Sequence, residues 1–205
     1  MELDPRVMDP KLCYKLVIGC VVPRPIAVVS TVSTEGRFNV APFSYFTVAS
    51  HNPLSLAFTV GGPKGDGSPK DTLRNAQMSE AGGIGEFVVN VADESYAEAM
   101  AATGESLPFE TSEFDHTGLT PTPSRTVRPP RVGEASVAFE CRTTHVIPIG
   151  DSRMVIGEVL HIHIRDGLAN ERMHIDADKL GAIGRMAGND YVRTRDRFEV
   201  KTAGR

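Results

Sequence analysis

Short apolar runs, each bounded by Gly, Pro or Asn, recur along the chain. They are rich in β-branched residues, a pattern that predicts strands. Five such runs are AVVSTVS from Ala27, LSLAFTV from Leu54, EFVVNVA from Glu86, SVAFECRTTHVI from Ser136 and RMVIGEVLHIHI from Arg153. After the first run, the residues STEGRFN predict a hairpin turn, because the glycine at position 36 can adopt a positive φ without steric cost.

Two stretches have helical character instead. The first, SPKDTLRNAQMSEAG, is predicted to begin after Pro69 and to end at residues 82–83, with Ser68 or Asp71 as its cap. The second, SYAEAMAATG, predicts a short helix. The Pro- and Thr-rich region from residue 107 to 133 has little periodicity, which predicts a long ordered loop or lid rather than a linker between domains.

Strands therefore dominate, and the helices are inserted between them rather than alternating regularly. This order favours a mainly β fold, a closed antiparallel barrel with added helices, over a doubly wound parallel sheet. A length of 205 residues suits one compact domain spanning residues 1–205 and is enough to bury a sizeable core.

Composition and charge exclude some classes of function. The net charge of −4 and the pI near 5.9 argue against a general nucleic-acid binder, which is usually basic. The sequence contains no apolar run long enough to span a bilayer, and no signal peptide leads it. Three cysteines in a spacing that fits no zinc motif indicate a reducing, cytoplasmic location. Cys141, inside an apolar run, is expected to be a core residue rather than a nucleophile.

Several motifs do not carry the chemistry that they suggest at first. The stretch GGPKGDGSPKDT lacks the Gly-Lys-Ser/Thr ending of a phosphate-binding P-loop, and the chain contains no G-x-S-x-G elbow. His161 and His163 share one face of a predicted strand, but a zinc site needs a third or fourth ligand that no spacing nominates. We therefore predict no metal site and expect this His pair to face solvent, a subunit interface or a ligand.

The segment Asn39–Phe46, NVAPFSYF, is unusual for a strand because it combines Asn, Pro and Ser with apolar residues. It is either a bulged, twisted strand or a strand whose backbone and small polar side chains face a ligand. Pro42 has no N–H, so the strand cannot pair fully there. Backbone groups at Ala41 and Phe43 are then expected to face the ligand.

Taken together, six segments resemble the flavin reductase-like family: RPIAVVSTVSTEGRFNVAPFSYFTVAS, KDTLRNA, GEFVVNV, RVGEASVAFEC, VIGEVLHIHIRDG and IGRMAGNDYVRTRDRFEV. The resemblance covers nearly the whole chain. It implies an FMN-binding split β-barrel, an antiparallel Greek-key barrel that forms a homodimer with the flavin near the interface. The family includes NAD(P)H-dependent flavin reductases such as nitrilotriacetate monooxygenase component B, flavoredoxin-like electron carriers and ferric reductases.

The resemblance also implies a reaction. A hydride passes from NADH or NADPH to FMN, with FAD as an alternative flavin. The electrons then continue to an acceptor, for example a monooxygenase or another protein partner. Hydride transfer needs stacking and orientation more than a protein acid or base. The sequence leaves open the preferred nicotinamide, the final acceptor, and whether the flavin is a substrate or a fixed cofactor.

Residues are assigned to FMN on the same basis. Lys70 and Thr72 supply a cation and a hydroxyl for the phosphate at a helix start. Asp71, between them, is assigned to the same site, although a carboxylate repels phosphate and suits a helix cap. Asn39, Ala41, Pro42, Phe43 and Ser44 form a wall for the ring, with Thr31 and Val32 of the preceding strand beside it. By resemblance, further contacts come from Gly184, Tyr191 and Arg193, and His163 approaches the flavin or nicotinamide pocket as a catalytic residue.

Three other readings stay open on the sequence alone. The chain is a redox carrier with tightly held FMN, or a flavin-binding protein without turnover, or a barrel without flavin that binds, for example, haem. The Gly-rich stretch of residues 61–69 is longer than a compact turn, and it either shifts Lys70 or forms a mobile lid.

Overall fold

A computed structural model of the chain describes residues 1–201. Its helices are α1 (Pro10–Cys20), α2 (Asp71–Ala76), α3 (Ala97–Ala102), α4 (Glu113–Thr117) and α5 (Ala177–Leu180). Its strands are β1 (Arg24–Pro25), β2 (Ala27–Val32), β3 (Phe38–Phe43), β4 (Phe46–His51), β5 (Leu54–Val60), β6 (Glu86–Val91), β7 (Pro121–Thr122), β8 (Arg131–Val132), β9 (Val137–Ile149), β10 (Ser152–Ile164), β11 (Ile183–Arg185) and β12 (Tyr191–Arg193).

The five predicted strands are all present, as β2, β5, β6, β9 and β10. They belong to a seven-stranded antiparallel sheet in the order β3-β2-β6-β9-β10-β5-β4. The hairpin turn between β2 and β3 is confirmed, with Gly36 at φ 85°. The mainly β split-barrel class is therefore confirmed.

The expectation of a closed barrel is wrong for the described residues, because no ladder joins the two edge strands, β3 and β4. The chain passes from one edge to the other through residues 44–45. The Thr59 N–H donates to the Tyr45 carbonyl at 2.8 Å, and the Phe43 and Phe58 rings pack 5.1 Å apart. Side-chain packing and one turn, rather than a strand ladder, therefore hold the two edges of the barrel together. Edge strands present outward-facing backbone groups, and on β3 the Val40 N–H donates to the Glu113 side chain.

The helical predictions are only partly right. The helix after Pro69 ends at Ala76, and a separate 3₁₀ turn, Ser79–Ala81, continues to Gly82. Its N-cap is Lys70, which makes no side-chain capping bond, so the capping role predicted for Asp71 or Ser68 is wrong. The second predicted helix is present as α3, preceded by the 3₁₀ turn Glu94–Tyr96.

Helix α1 was not predicted, and none of its residues is buried. Leu12, Leu16 and Val17 are each about half exposed. Asp9 accepts a hydrogen bond from the Lys11 N–H and caps the helix, and Pro10 occupies its first turn.

The core lies on both sides of β2. One cluster includes Phe43, Phe58 and Phe87, with the Phe58 and Phe87 rings 5.2 Å apart. Cys141 belongs to this cluster and is fully buried, which confirms its core role. Burial raises the pKa of the Cys141 thiol well above its ordinary value, and the neighbouring Glu140 carboxylate adds to the rise, so the thiol stays protonated.

The region 107–133 is ordered, as predicted, and contains α4, β7 and β8. Glu140 on β9, fully buried, holds this region in place. Its carboxylate accepts hydrogen bonds from the Arg125 and Thr126 N–H groups at 2.7 and 2.6 Å, and from the Thr126 hydroxyl.

Candidate functional site

A cavity of about 210 Å³ lies between β3 and the start of α2, and we call it the central cavity. Its walls come from β3, from the segment before and into α2, from the Gly-rich loop, from the loop after α3 and from α4. They are Asn39, Ala41, Pro42, Phe43, Lys64, Lys70, Asp71, Thr72, Thr103, Gly104, Glu105, Ser106, Leu107 and Glu113. Two segments about thirty residues apart, each nominated from the sequence, thus meet in one cavity.

A buried hydrogen-bond network joins these two segments. The Asn39 side-chain amide donates to the Thr72 hydroxyl oxygen at 3.0 Å and to the Thr31 hydroxyl oxygen at 3.1 Å. Asn75 donates to the same Thr31 oxygen at 3.1 Å. Since Asn39 uses both amide hydrogens inside the protein, its amide orientation is fixed and its carbonyl oxygen is left as an acceptor.

The charged side chains around the central cavity differ in whether they already have an ion-pair partner. Lys64 donates to Asp71 at 2.6 Å, and both side chains are largely buried. Arg74 lies 3.9 Å from the other oxygen of Asp71, Oδ1, which is buried and accepts no hydrogen bond. Asp71 therefore pairs with Lys64 and Arg74 rather than with the exposed Lys70. This arrangement neutralises the carboxylate beside Lys70 and leaves the Lys70 ammonium available to an anion.

The Gly-rich loop of residues 61–69 is what brings Lys64 to Asp71. The Lys64 N–H donates to the Ser68 carbonyl, and the Gly67 N–H donates to the Lys64 carbonyl at 2.9 Å. Gly67 takes φ 84°, a conformation that favours glycine, which explains one glycine of this loop.

Glu113 contributes a buried acid to the same cavity, which sequence reasoning missed. The Val40 N–H donates to its Oε2 at 3.1 Å. Burial raises the pKa of the Glu113 carboxyl above its ordinary value, although the Val40 hydrogen bond opposes part of that rise. Its position in a Pro- and Thr-rich region without periodicity gave no sequence signal for burial.

The Glu113 contact also shows which backbone groups face outward. Strand β3 pairs regularly with β2 from Phe38 to Phe43, and backbone direction alternates along a strand. Because the Val40 N–H points away from β2, the N–H groups of Ala41 and Phe43 point toward it. The expectation that those backbone groups face a ligand is therefore wrong. The outward-facing position is Pro42, which sits at a sheet edge where its missing N–H costs no ladder bond.

A second cavity, of about 710 Å³, shares Pro42, Gly104 and Glu105 with the central cavity. We call it the Tyr191 cavity. The predicted residues Ser44 and Tyr191 line it, and Tyr14 and Ile18 of α1 form another side. The Arg185 guanidinium lies over the Tyr191 ring, 4.5 Å from its centroid.

Arg24 organises the wall between this cavity and the sheet. It is buried, and its guanidinium donates to the carbonyls of Ile18 and Val21 at 2.7 and 2.9 Å and to that of Met186 at 3.0 Å. A further N–H donates to the Ser44 hydroxyl at 3.2 Å. Arg24 thereby ties α1 to the β1-β11-β12 sheet and fixes Ser44, a role that its place in the sequence VPRPIA did not reveal.

Four other predicted residues lie outside the cavity walls. Thr31 is fully buried behind Asn39 and supports it, and Val32 is buried next to it on the other strand face. Gly184 allows close packing, because a Cβ there would lie 2.9 Å from Pro23. Arg193 forms an ion pair with Glu94.

His163 also lies away from the central and Tyr191 cavities, as far as residues 1–201 define them. Its Nε2 contacts the buried Glu140 carboxylate. The predicted shared face with His161 is confirmed, since the two rings lie 4.6 Å apart. In this chain His163 contacts Glu140, the residue that holds the region 107–133 in place. Its contact with flavin or nicotinamide stays a prediction, which would require a ligand bound by another subunit.

Among the described residues, no group of three or more His, Cys, Asp or Glu side chains is placed to hold a metal ion. A search of the same residues finds no helix that is long and apolar enough to cross a membrane.

Comparison with known proteins shows which family the chain belongs to. Residues 18–183 match the family described as flavin reductase like domain. An uncharacterized protein of Aquifex aeolicus is 39% identical over 201 residues, which cover 98% of this chain and 100% of that protein.

Two solved structures are also similar. Nitrilotriacetate monooxygenase component B from Bacillus cereus has a TM-score of 0.90 and 36% identity, covering 98% of each chain. The 2-nitrobenzoate 2-nitroreductase NbaA of Pseudomonas fluorescens has a TM-score of 0.88 and 32% identity, covering 100% of this chain and 97% of that one. Family and similarities together support a flavin-binding oxidoreductase. The chain belongs to the flavin reductase like family.

Proposed function

We propose that the protein is an NAD(P)H-dependent flavin reductase that binds FMN in the central cavity and the adjoining Tyr191 cavity. The observation that carries the proposal is the meeting of the Asn39–Phe43 segment with the Lys70–Thr72 segment around one cavity. FMN needs an anion site and a shaped wall at one place, which these two segments offer together.

The donor set suits a phosphate. Lys70 provides an exposed ammonium, and the Thr72 hydroxyl, which accepts from Asn39, keeps its own hydrogen to donate. The helix that follows has only six residues, so its dipole adds little, and the side chains carry the argument. The Lys64–Asp71 pair removes the repulsion that an unpaired Asp71 would exert on the anion.

The wall for the ring runs from Ala41 to Ser44. Ala41 and Pro42 present small apolar surfaces at the sheet edge, and Ser44 carries a hydroxyl whose position Arg24 fixes. Tyr191 adds aromatic surface on the far side of the larger cavity. A flat ring that is apolar on its faces and polar along one edge fits this combination.

A bound flavin would supply the capacity to accept a hydride from NADH or NADPH and to pass electrons on. The protein's own residues would bind, orient and exclude water, which is the larger part of what hydride transfer requires. Nearby cations, Lys64 and Lys70, would favour negative charge on bound ligand groups. By similarity to nitrilotriacetate monooxygenase component B, we further propose that the protein supplies reduced flavin to a separate acceptor protein. From the family resemblance we also propose a homodimer.

The test is steady-state oxidation of NADH and NADPH by the purified chain with free FMN, FAD or a ferric complex as acceptor. We expect turnover with free FMN and a yellow chromophore identified as FMN after denaturation. Bleaching by NAD(P)H without release of flavin would indicate an electron carrier instead. The absence of bleaching by either nucleotide would refute the reductase assignment while leaving flavin binding in place.

A further inference from the structure

A third cavity, of about 570 Å³, adjoins the central cavity. It shares Lys64, Ser106 and Leu107 with the central cavity and no residue with the Tyr191 cavity. We call it the Phe109 cavity. The central cavity, which Lys70 and Thr72 line, therefore adjoins both of the other cavities.

The chemistry of the Phe109 cavity suits a nucleotide. The guanidinium groups of Arg37 and Arg74 lie 5.3 and 4.3 Å from the centroid of the Phe109 ring. Arg74 and Lys64 line this cavity, and Lys64 also lines the central cavity together with Lys70. Guanidinium and aromatic planes stack on bases, and guanidinium groups bind phosphate.

The carboxylates near this cavity are mostly engaged. Asp66 accepts from the Ser68 N–H and hydroxyl at 2.9 and 2.7 Å, and Asp71 accepts from Lys64. Glu35 pairs with Arg37 at 2.7 Å on the exposed side. Glu110 is exposed on the same loop as Phe109. The same ion pairs engage Lys64 and Arg37. Arg74 lies 3.9 Å from Asp71 Oδ1, so its guanidinium, over the Phe109 ring, is the cation that these carboxylates engage least.

We propose that the Phe109 cavity is a subsite for an adenylate, that is, an adenine base joined through ribose to a phosphate. The proposal rests on the proposed function, since it extends the flavin phosphate site outward. FMN ends at its first phosphate, whereas FAD continues with a second phosphate and an adenosine. A nicotinamide dinucleotide carries the same adenylate group, so the shared chemistry is the adenylate and the experiment distinguishes its source.

The experiment compares the full chain, freed of flavin, with Phe109→Leu and Arg37→Gln. Neither residue lines the central cavity, so FMN binding should be preserved. Arg172→Gln removes a similarly exposed arginine elsewhere and serves as the charge control. Calorimetric titrations give the Kd of FMN and FAD, and steady-state kinetics with FMN give the KM of NADH and NADPH.

We expect the two variants to weaken FAD at least fivefold while the Kd of FMN stays within twofold, and the control to change neither. If FAD binding is unchanged and the KM of both nicotinamide nucleotides rises at least fivefold at constant kcat, the adenylate belongs to the nicotinamide substrate and the subsite stands. Equal losses of FMN and FAD, or no change in FAD affinity and KM, would overturn it.

Failure of the proposed function gives a different result. If the unaltered chain binds neither flavin, equilibrium dialysis with ADP decides the subsite by itself. ADP binding that is weakened by Phe109→Leu, but not by the control, keeps the adenylate subsite. No ADP binding removes it.

Discussion

Glu140→Gln should make the protein less stable in a pH-dependent way. Burial by itself would raise the pKa of the Glu140 carboxyl, but hydrogen bonds from Thr126, the Arg125 N–H and His163 more than offset this and lower the pKa from 4.5 to about 2. Each pKa unit of difference between the folded and unfolded states corresponds to about 1.4 kcal/mol. Ionised Glu140 therefore contributes about 3 kcal/mol to the free energy of unfolding at neutral pH.

The sign follows from the lowered pKa. The contribution is fully present above pH 4.5 and is lost as the pH falls toward 2. Glutamine keeps the shape but offers one acceptor oxygen to donors that now share two. Urea unfolding of the wild type and the variant should thus differ by about 3 kcal/mol at pH 7, and the difference should shrink steadily between pH 5 and pH 3.

Glu113→Gln is the matched control, because Glu113 is also a buried glutamate but its pKa is raised. Its ionised form is disfavoured by burial, so the stability from its protonated state is present at low pH and lost as the pH rises through the folded pKa. Replacing it with glutamine should leave stability at pH 7 unchanged or increase it. A Glu140→Gln effect that is below 1 kcal/mol, or that does not vary with pH, would refute the reasoning about the anchor.

The remaining predictions concern packing and thiol reactivity. Gly157→Ala should destabilise the protein by about 1–3 kcal/mol in urea unfolding, because its Cβ would overlap the Phe87 ring and lie 3.1 Å from the Arg142 carbonyl oxygen. Full stability would show that the core yields there. In the native protein, a thiol reagent should modify the exposed Cys20 and leave the buried Cys141 unmodified until the chain unfolds, as mass spectrometry would reveal. Rapid native labelling of Cys141 would contradict the assigned core.

The strands were predictable because each carries a local signal. The five apolar runs and the turn at Gly36 need no knowledge of distant residues. Closure of the barrel was not predictable in the same way. Whether β3 and β4 pair depends on the geometry of the turn at residues 44–45, where the chain crosses from one edge to the other.

The residues of the candidate site also differ in whether the sequence gives a local signal for them. Asn39 and Lys70 stood out because a polar residue in an apolar strand and a cation before a helix are visible in the sequence. Glu113 and Arg24 did not stand out, because their burial involves partners far along the chain: Val40 for Glu113 and Met186 for Arg24. Buried charges are set by tertiary packing, which spacing along the chain does not encode.

Asp71 illustrates how one distant partner changes a role. Before a predicted helix, an acidic residue reads as a cap. In the structure the Gly-rich loop brings Lys64 within 2.6 Å of it, so the carboxylate forms an ion pair instead. The same pair leaves Lys70 free to bind an anion, on which the proposed function depends.

Phosphate binding by Lys70 can be measured by titrating the flavin-free chain, and its Lys70→Met variant, with FMN and with riboflavin, which lacks the phosphate. Removing one charge-assisted contact of about 1.5–3 kcal/mol should weaken FMN about 10- to 100-fold. Riboflavin affinity should be unchanged, and Lys11→Met, an exposed lysine on α1, should alter neither. A wild-type chain without affinity for FMN, or an equal loss of FMN and riboflavin in Lys70→Met, would contradict the account.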